Sequence, residues 1–474
     1  MNEATLFRQL ADLLVRHRAR EKADPLLRPH EPDALARLLE LERPAKGDWR
    51  QILAWLEAYL EHSVKTGHPG FLNRMWSGAN LPSILAEMVV AVSNTSACTY
   101  EAAPVSTLME RYMLETMLEL VGFDEGEGQM TSGSSQGNLV AMLAARNERL
   151  QTAKEEGLWR QPPLYAFVSA EAHYSLDKAA NVLGIGTDHL RKVAVDRRGR
   201  MDPDALADEL ERCRRDGGRP FFVCATLGTT VRGAYDPLEP LAALREEYGF
   251  WLHGDGAWGG AALLDDRLRR RFLTGVERLD SFTWDFHKMP GTNLTCNMLL
   301  FNGRRDGFRC ACSAGEHSYL FREESDTHPL DLGVGSLQCA RRVDSLKWFL
   351  DWKYFGKKGL ARRVRRYLEL AEYAERRVGE MAELEMVAPR ESFNVCFRYR
   401  AARKNDCNDL NLRLRHRLLR QGAALVGVGW IGEKLALRLL ITHPDFDETA
   451  VDRFLEQVAA AGRELDRLSP DREA

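Results

Sequence analysis

Short β-rich runs alternate with helical patterns through the middle of this 474-residue chain. A strand followed by a helix and a second strand usually forms a βαβ unit, in which the two strands are parallel and the helix covers the sheet. The alternation therefore predicts an α/β fold with a mostly parallel central sheet. The predicted strands in this region are Leu164–Ser169, Phe221–Thr226, Phe250–His253 and Asn297–Phe301.

Both ends of the chain differ from this central pattern. Residues 1–65 have the apolar spacing of amphipathic helices, which must pack on the body of the protein or on a partner chain. Near Leu360 a long charged helix begins, and two strand-like runs follow at Asn394–Tyr399 and Leu435–Thr442, each trailed by a helix. We therefore predict an N-terminal helical segment at 1–65, a large domain at 66–355 and a smaller C-terminal α/β domain at 356–474.

Charge and cysteine content narrow the classes of function. The formal net charge is −3, so no global basic field favours nucleic acid or an anionic membrane as a partner. The nine cysteines are scattered, and none is placed in a set with zinc-ligand spacing, so no metal is predicted. The sequence shows neither a signal peptide nor a segment apolar enough to cross a bilayer, which predicts a cytoplasmic protein.

Lys288 is the first candidate for chemistry. It lies between an aromatic-rich run, Trp284–Phe286, and the apolar strand Asn297–Phe301. An unpaired ammonium in such surroundings would cost several kcal/mol, so a lysine there is usually paired or used covalently. A Schiff base with an aldehyde cofactor would remove the charge. On this segment alone, a surface-loop lysine is an equally good interpretation.

Asp255 ends the apolar run that begins at Trp251 and is followed by small residues. Ligands of doubly wound sheets bind at the carboxyl ends of strands, and a carboxylate there can pair with a pyridinium nitrogen. An opposite charge nearby shifts a pKa by about 1–3 units, or roughly 1.4–4 kcal/mol, which is enough to keep such a nitrogen protonated. The alternative role, a helix N-cap, is common for aspartate.

A hydroxyl-rich segment, Thr131–Asn138, precedes a helical pattern and contains Ser134 and Ser135. Hydroxyls and free amides at the start of a helix can bind a phosphate group with the help of the helix dipole. Such loops are frequent, and Ser135 could simply cap the helix. Two further strand ends carry His173, which could stack on a flat cofactor ring, and Thr230, which offers a hydroxyl.

Taken together, these motifs occur in the order of the group II pyridoxal-phosphate decarboxylases, which the chain resembles. That family includes glutamate, cysteine-sulfinate and aromatic amino acid decarboxylases. The resemblance runs from His68 to Leu440, most of the chain. Besides the blocks around His173, Thr230, Asp255 and His287-Lys288, its most specific parts are Thr99-Tyr100-Glu101, Ala103-Pro104, Leu337-Gln338-Cys339 and Arg341-Arg342-Val343-Asp344.

The resemblance implies a fold-type-I, aspartate-aminotransferase-like architecture, pyridoxal 5'-phosphate as cofactor and a homodimer with active sites at the subunit interface. It makes residues 66–355 the cofactor domain and 1–65 a dimerisation segment. By position, Lys288 matches the Schiff-base lysine and Asp255 the partner of the pyridine nitrogen. The other implied cofactor residues are Ser134, Ser135, His173, Thr230, Ala257 and His287.

Arg438 matches an arginine that, in the glutamate branch of the family, binds the substrate α-carboxylate. Its guanidinium suits bidentate binding of a carboxylate, and the apolar odd positions of its strand place it on the opposite face. The alternative is a solvated arginine on an edge strand. Asn73 and Arg74 match a segment near the substrate side chain, where Arg74 replaces a glutamine and would favour an acidic substrate.

Two more departures from the family pattern concern the active site. Asp285-Phe286 stands where the family usually has Asn-Pro, which puts a phosphate contact in doubt. The loop after Tyr319 normally carries a tyrosine that protonates the substrate Cα, and this chain has none between Leu320 and Leu337. His328 lies near that position and could serve as the acid, since a histidine titrates near neutrality.

The sequence thus predicts a pyridoxal-phosphate-dependent decarboxylase that acts on aspartate, glutamate or cysteine sulfinate. A diamino or aromatic amino acid is the alternative substrate. The missing loop tyrosine leaves open a pyridoxal-dependent oxidative deaminase or another lyase. A non-catalytic dimeric binding protein is the remote alternative, because it would not need to keep Lys288, Asp255 and His173.

Overall fold

A computed structural model of the chain describes residues 2–41, 46–303, 306–313, 319–322, 324–402 and 407–468. Within these residues no helix combines the length and the apolar character needed to cross a membrane. The predicted loop between Leu320 and Leu337 includes Glu323, which lies outside the described residues.

The α-helices are α1 (Glu3–Arg20), α2 (Pro32–Leu38), α3 (Trp49–His62), α4 (Leu81–Ser93), α5 (Pro104–Val121), α6 (Ser134–Arg149), α7 (Ala153–Glu156), α8 (Ser175–Val182), α9 (Pro203–Arg215), α10 (Leu238–Tyr248), α11 (Asp266–Phe272), α12 (Gly307–Cys312), α13 (Ser345–Glu380), α14 (Cys407–Arg420) and α15 (Glu448–Arg467). The strands are β1 (Phe71–Leu72), β2 (Glu127–Thr131), β3 (Leu164–Ser169), β4 (Leu190–Val193), β5 (Arg219–Thr226), β6 (Trp251–Asp255), β7 (Ser281–Asp285), β8 (Asn297–Phe301), β9 (Leu384–Met386), β10 (Asn394–Tyr399), β11 (Leu425–Ile431) and β12 (Lys434–Leu440).

These elements form two compact units. The first consists of Met1–Gly78, Leu370–Ala388 and Asn394–Ala474, and the second of Ala79–Glu369 and Pro389–Phe393. The N-terminal helices α1 to α3, which the sequence predicted, therefore share a unit with the C-terminal strands. The division at residues 65 and 355 stays a prediction.

The second unit is built on a seven-stranded sheet in the order β2-β8-β7-β6-β5-β3-β4. Strands β7, β6, β5, β3 and β4 are mutually parallel, and β8 runs antiparallel to both β7 and β2. The predicted mostly parallel sheet is confirmed. The central strands β5, β6, β7 and β8 are buried on both faces, as expected where helices cover a parallel sheet, whereas the edge strand β4 exposes its two middle residues.

The first unit contains a five-stranded sheet in the order β1-β11-β12-β10-β9. Strand β12 lies at its centre and pairs antiparallel with β10 and β11. Arg438 is therefore on a central strand, and the edge-strand alternative for it is wrong. Helices α14 and α15 follow the two strand runs that the sequence predicted.

Strand β7 was absent from the sequence-based prediction. Its five residues alternate polar and aromatic side chains, yet all five are buried. A run with three polar side chains does not have the apolar character that marks a buried strand in sequence. Strand β6 extends to Asp255 itself, two residues beyond the predicted end.

Candidate active site

The carboxyl ends of β6 and β7 place two aspartates side by side. Asp255 is the last residue of β6 and pairs in register with Thr283 of β7, and Asp285 is the last residue of β7. At about 3.3 Å per residue, Asp285 lies about 7 Å further along the strand direction than Asp255. Lys288 follows in the next turn, so all three residues lie at the sheet edge where α/β proteins bind ligands.

Lys288 is an ion-paired amine. Its Nζ lies 3.0 Å from Oδ2 of Asp285, and its side chain is 19% exposed. The interpretation as a solvated surface lysine is therefore wrong, and the amine is also not sealed from the rim of the site.

Asp285, which stands where the family usually has the asparagine of the Asn-Pro pair, makes three polar contacts. Its Oδ1 accepts hydrogen bonds from the backbone N–H of Ser134 at 3.1 Å and from Nδ2 of Asn297 at 2.8 Å, while Oδ2 contacts Lys288. Burial opposes its ionisation, but Lys288 and the hydrogen bonds outweigh burial and hold the pKa of this carboxyl below its ordinary value. Asp285 is thus an anionic link between the hydroxyl-rich loop and the lysine.

The loop before α6 forms a cradle of donors. Gly133 has φ of 119°, a backbone conformation that favours glycine, and it lets the chain turn into the helix at Ser134. A Cβ at Gly137 would clash with Oγ1 of Thr283, so this glycine lets α6 lie directly on β7. Ser135 is exposed, and Ser134 Oγ accepts from Asn297 Nδ2 at 2.9 Å. The N-terminus of α6 thus points its N–H groups to the same sheet edge.

His173 lies within electrostatic reach of the other site residues. Burial lowers its pKa, the charges of Asp255 and Asp285 raise it, and that of Lys288 lowers it. Its Nδ1 accepts a hydrogen bond from the Ser175 N–H at 3.3 Å, which orients the ring. The predicted stacking histidine, ring-nitrogen aspartate and lysine are therefore brought together.

Asp255 is held by two donors. Its Oδ1 accepts from the N–H of Ala257 at 3.1 Å, and its Oδ2 accepts from Nδ2 of Asn138 at 2.9 Å. The Ala257 contact is a backbone turn rather than a helix N-cap, because a short 3₁₀ segment begins only at Gly259. The capping interpretation of Asp255 is therefore wrong for an α-helix.

The two remaining predicted cofactor residues differ in their surroundings. His287 is buried, its Nδ1 lies 2.9 Å from the carbonyl oxygen of Cys296, and burial lowers its pKa. It anchors the turn that carries Lys288. Thr230 lies in the turn that follows β5, next to the strand of Asp255.

The predicted substrate residues belong to the first unit. Arg438 is buried, with 8% of its surface exposed, and donates from Nη2 to the carbonyl oxygen of Asn73 at 2.9 Å. Burial lowers its pKa, and the neighbouring charge of Arg74 acts in the same direction. Arg74 also lowers the pKa of Arg415, where burial is again the larger cause. Three guanidinium groups thus form a positive cluster.

His328 occupies a short 3₁₀ turn and is mostly buried. Its Nδ1 lies 3.6 Å from Oδ2 of Asp331, whose Oδ1 accepts from the N–H of Tyr100 at 2.7 Å. The end of the predicted loop is therefore tied to the Thr99-Tyr100 segment. At 3.6 Å the side chains of His328 and Asp331 are close but not hydrogen-bonded, and within the described residues Nδ1 of His328 is buried without a hydrogen-bond partner.

Sequence reasoning missed four polar residues of these clusters. Asn138 and Asn297 each bridge two site segments, and Arg415 joins the arginine cluster. His253 could have been found, because residues two apart on a strand share a face and it therefore accompanies Asp255. The others had no such signal, since their partners are distant in sequence.

The residues present fit pyridoxal phosphate. An amine, a carboxylate, an imidazole and a helix N-terminus with two serine hydroxyls converge on one sheet edge, and they match the aldehyde, ring nitrogen, ring face and phosphate of that cofactor. Asp285 fits the phosphate less well, because its carboxylate already accepts the Ser134 N–H that could otherwise donate to the phosphate.

Comparisons with known proteins agree with this chemistry. A family described as the pyridoxal-dependent decarboxylase conserved domain matches residues 32–400. Cysteine sulfinic acid decarboxylase of Mus musculus is 37% identical over 448 residues, which cover 92% of this chain and 90% of the mouse protein. Acidic amino acid decarboxylase GADL1 of Homo sapiens is 35% identical, with 92% and 85% covered. The crystal structure of mouse CSAD in apo form has a TM-score of 0.93 at 33% identity, covering 97% of this chain and 98% of that one.

Proposed function

Because this chain belongs to the pyridoxal-dependent decarboxylase family and is an enzyme of that class, we propose that it removes the α-carboxyl group of a small acidic amino acid. Aspartate, glutamate and cysteine sulfinate are the candidate substrates. The observation that carries the choice of an acidic substrate is the cluster of Arg74, Arg415 and Arg438 in the first unit. Similarity to relatives named for cysteine sulfinic acid and for acidic amino acids supports it.

The residues at the carboxyl edge of the large sheet would bind the cofactor. Lys288 would hold its aldehyde carbon, Asp255 its ring nitrogen and His173 its ring face. Ser134, Ser135 and the N-terminus of α6 would bind the phosphate. Bound pyridoxal phosphate supplies a ring that accepts the electron pair released when carbon dioxide leaves. The role of the protein is to orient the substrate and to keep the charges in place.

The arginine cluster would bind the substrate. Arg438 is buried and oriented by the Asn73 carbonyl, so its guanidinium suits the α-carboxylate. Arg74 is exposed and would bind the acidic side chain. Asn73 Oδ1 is buried and, among the described residues, has no hydrogen-bond partner, so it offers an acceptor to a substrate donor.

His328 would donate the proton that replaces the lost carboxylate at Cα. Its side chain is mostly buried beside Asp331, and histidine is the side chain that most often acts as a general acid. If no residue delivered this proton, oxidation by O₂ to an aldehyde and ammonia would become the competing outcome. This is the specific reason to measure oxygen in the test of function.

The proposed function is tested by product analysis across a panel of amino acids. We expect carbon dioxide and the corresponding amine from aspartate, glutamate or cysteine sulfinate, with no oxygen uptake. Arg74→Leu should raise the KM for the acidic substrate by about 10–100-fold, because a charge-assisted contact is worth roughly 1.5–3 kcal/mol. Arg463→Leu, which removes a surface arginine paired with Glu383 in the same unit, is the control and should leave KM unchanged.

Two results would count against this proposal. Preference for lysine, diaminobutyrate or tyrosine would reject the acidic substrate class. Aldehyde and ammonia as products, with oxygen consumed, would replace decarboxylation by oxidative deamination. Unchanged KM in Arg74→Leu would remove that arginine from the substrate site but leave the reaction intact.

We also propose that the chain forms a homodimer through an apolar face on α4 and α5. The exposed side chains on α4 recur at helical spacing, and so do those on α5, so each helix presents one apolar stripe. Burial of each such side chain contributes up to about 1.5–3 kcal/mol, whereas association costs roughly 4–15 kcal/mol. Eight residues can therefore hold two subunits together. They are Leu81, Leu85, Met88, Val89, Val92, Val105, Leu108 and Tyr112, between 40% and 72% exposed.

Sedimentation velocity tests this dimer. The wild type should sediment as two 53.7 kDa chains, and Val89→Asp should sediment as one, because a buried unpaired carboxylate is strongly unfavourable. Val182→Asp is the matched control, since Val182 is an exposed valine outside the face. A wild-type protein that is monomeric at micromolar concentration would contradict the proposal.

We propose in addition that the protein is located in the cytoplasm, and cell fractionation tests this location.

A further inference from the structure

Five buried groups beneath the site form one continuous chain of hydrogen bonds. The indole Nε1 of Trp251 lies 2.8 Å from the hydroxyl of Ser281, which lies 2.7 Å from Nδ1 of His253. Nε2 of His253 lies 2.9 Å from Oδ1 of Asn138, and Nδ2 of Asn138 lies 2.9 Å from Oδ2 of Asp255.

The donor and the acceptor of each hydrogen bond can be assigned in turn, beginning at Asp255. An ionised carboxylate can only accept, so the contact at Oδ2 must come from the amide nitrogen of Asn138. The same Nδ2 donates to the hydroxyl of Ser175 at 3.0 Å. The amide oxygen of Asn138 therefore faces His253 and can only accept.

The hydrogen bonds of His253 require one particular protonation state of its ring. Burial, against the charge of Asp255, lowers its pKa to about 4, so the ring is neutral at neutral pH. Its Nε2 must carry the hydrogen that Asn138 Oδ1 accepts. Its Nδ1 then accepts from the Ser281 hydroxyl, and that oxygen accepts from the Trp251 N–H. Every member has a partner of the right kind.

The amide of Asn138 is held from both sides in the orientation that donates to Asp255. On one side the Nε2–H of His253 donates to its oxygen, and on the other side its nitrogen donates to Oδ2 of Asp255 and to the hydroxyl of Ser175. A neutral His253 with its hydrogen on Nε2 therefore fixes which end of the amide faces Asp255.

We propose that this chain of hydrogen bonds is a relay in which His253 is a positioning residue that, through Asn138, orients Asp255 for the ring nitrogen of the cofactor. This inference rests on the proposed role of Asp255. His253 itself touches neither cofactor nor substrate in this scheme. It acts by fixing the amide that fixes the carboxylate.

Cofactor affinity is the readout that tests the relay. Apo protein is titrated with pyridoxal phosphate, and the dissociation constant is measured from the visible absorbance. His253→Phe should raise that constant by about 10–100-fold, the usual effect of removing a partner that orients a ligating side chain, here carried over from metal sites. His253→Gln should stay within about threefold of wild type, because its amide can still donate to Asn138. Rescue by glutamine separates the hydrogen bond from mere filling of space.

A control variant separates the relay from general stability. Asn147 is buried in the same unit and donates to the carbonyl oxygen of Cys310, away from the chain of five groups. Asn147→Ala should lower the melting temperature without changing cofactor affinity. If His253→Phe fails to fold, Asn138→Asp serves instead, because it keeps the side-chain volume and presents an acceptor to Asp255. It should weaken cofactor binding by more than tenfold.

Failure of the relay and failure of the proposed function give different results. If Asp255→Ala binds the cofactor as wild type does, the assignment of Asp255 is wrong and the relay falls with it. If Asp255→Ala binds weakly while folded His253→Phe and Asn138→Asp bind normally, only the relay is overturned. Equal loss in the phenylalanine and glutamine variants would also overturn it.

Discussion

Replacement of Lys288 by alanine is expected to lower kcat by at least about a thousandfold, equivalent to roughly 4 kcal/mol of transition-state stabilisation. The variant should also lack the visible absorbance of a lysine-bound cofactor. Lys288 is the amine at the carboxyl edge of the sheet, where it is ion-paired with Asp285 and still partly accessible. Its loss removes both the covalent attachment point and a group that can move a proton there.

The measurement is single-substrate kinetics together with an absorbance spectrum after loading with pyridoxal phosphate. Lys192→Ala is the matched control, because that lysine pairs with Asp177 on the surface and such pairs contribute only about 0–1 kcal/mol. It should keep both spectrum and turnover. Full activity in Lys288→Ala would remove this lysine from the reaction and leave the family assignment without its central residue.

Asp255→Ala is expected to lower kcat by about 10–1000-fold, because a neighbouring opposite charge is worth about 1–3 pKa units to the group it stabilises. The proposed group is the ring nitrogen of the cofactor, whose charge lets the ring accept electrons. KM should change less than kcat, since Asp255 would not touch the substrate.

A comparison of two variants makes this prediction sharper. Asp204→Ala removes an exposed carboxylate at the start of α9 and should leave kcat unchanged. Asp255→Glu restores the charge one methylene further out and should recover part of the loss. If glutamate at this position is no better than alanine, the charge of Asp255 is not what the reaction requires.

Local patterns along the chain predicted most of the large sheet and the order of the site residues. Strands β3, β8 and β10 were predicted with the bounds that the structure shows, because each is an apolar run with clear ends. Asp255 and His173 follow predicted strands, and parallel strands bring their carboxyl ends to one edge. That rule alone predicted that these residues meet.

The hydrogen-bond partner of each of these residues depends on the packing of distant segments. Ser134 and Asp285 are 151 residues apart, and Asn138 and His253 are 115 apart, so no local pattern could pair them. The sequence presented Asp285 only as a departure from the family pattern, whereas the structure pairs it with Lys288, and this pairing helps to hold its pKa below the ordinary value. From the sequence, Arg438 could lie on a solvated edge strand or face a binding site. The pairing of β12 with both β10 and β11 shows that its strand is central. Local periodicity depends only on residues that are near one another in sequence. Hydrogen-bond partners and desolvation depend on which distant segments the fold brings together.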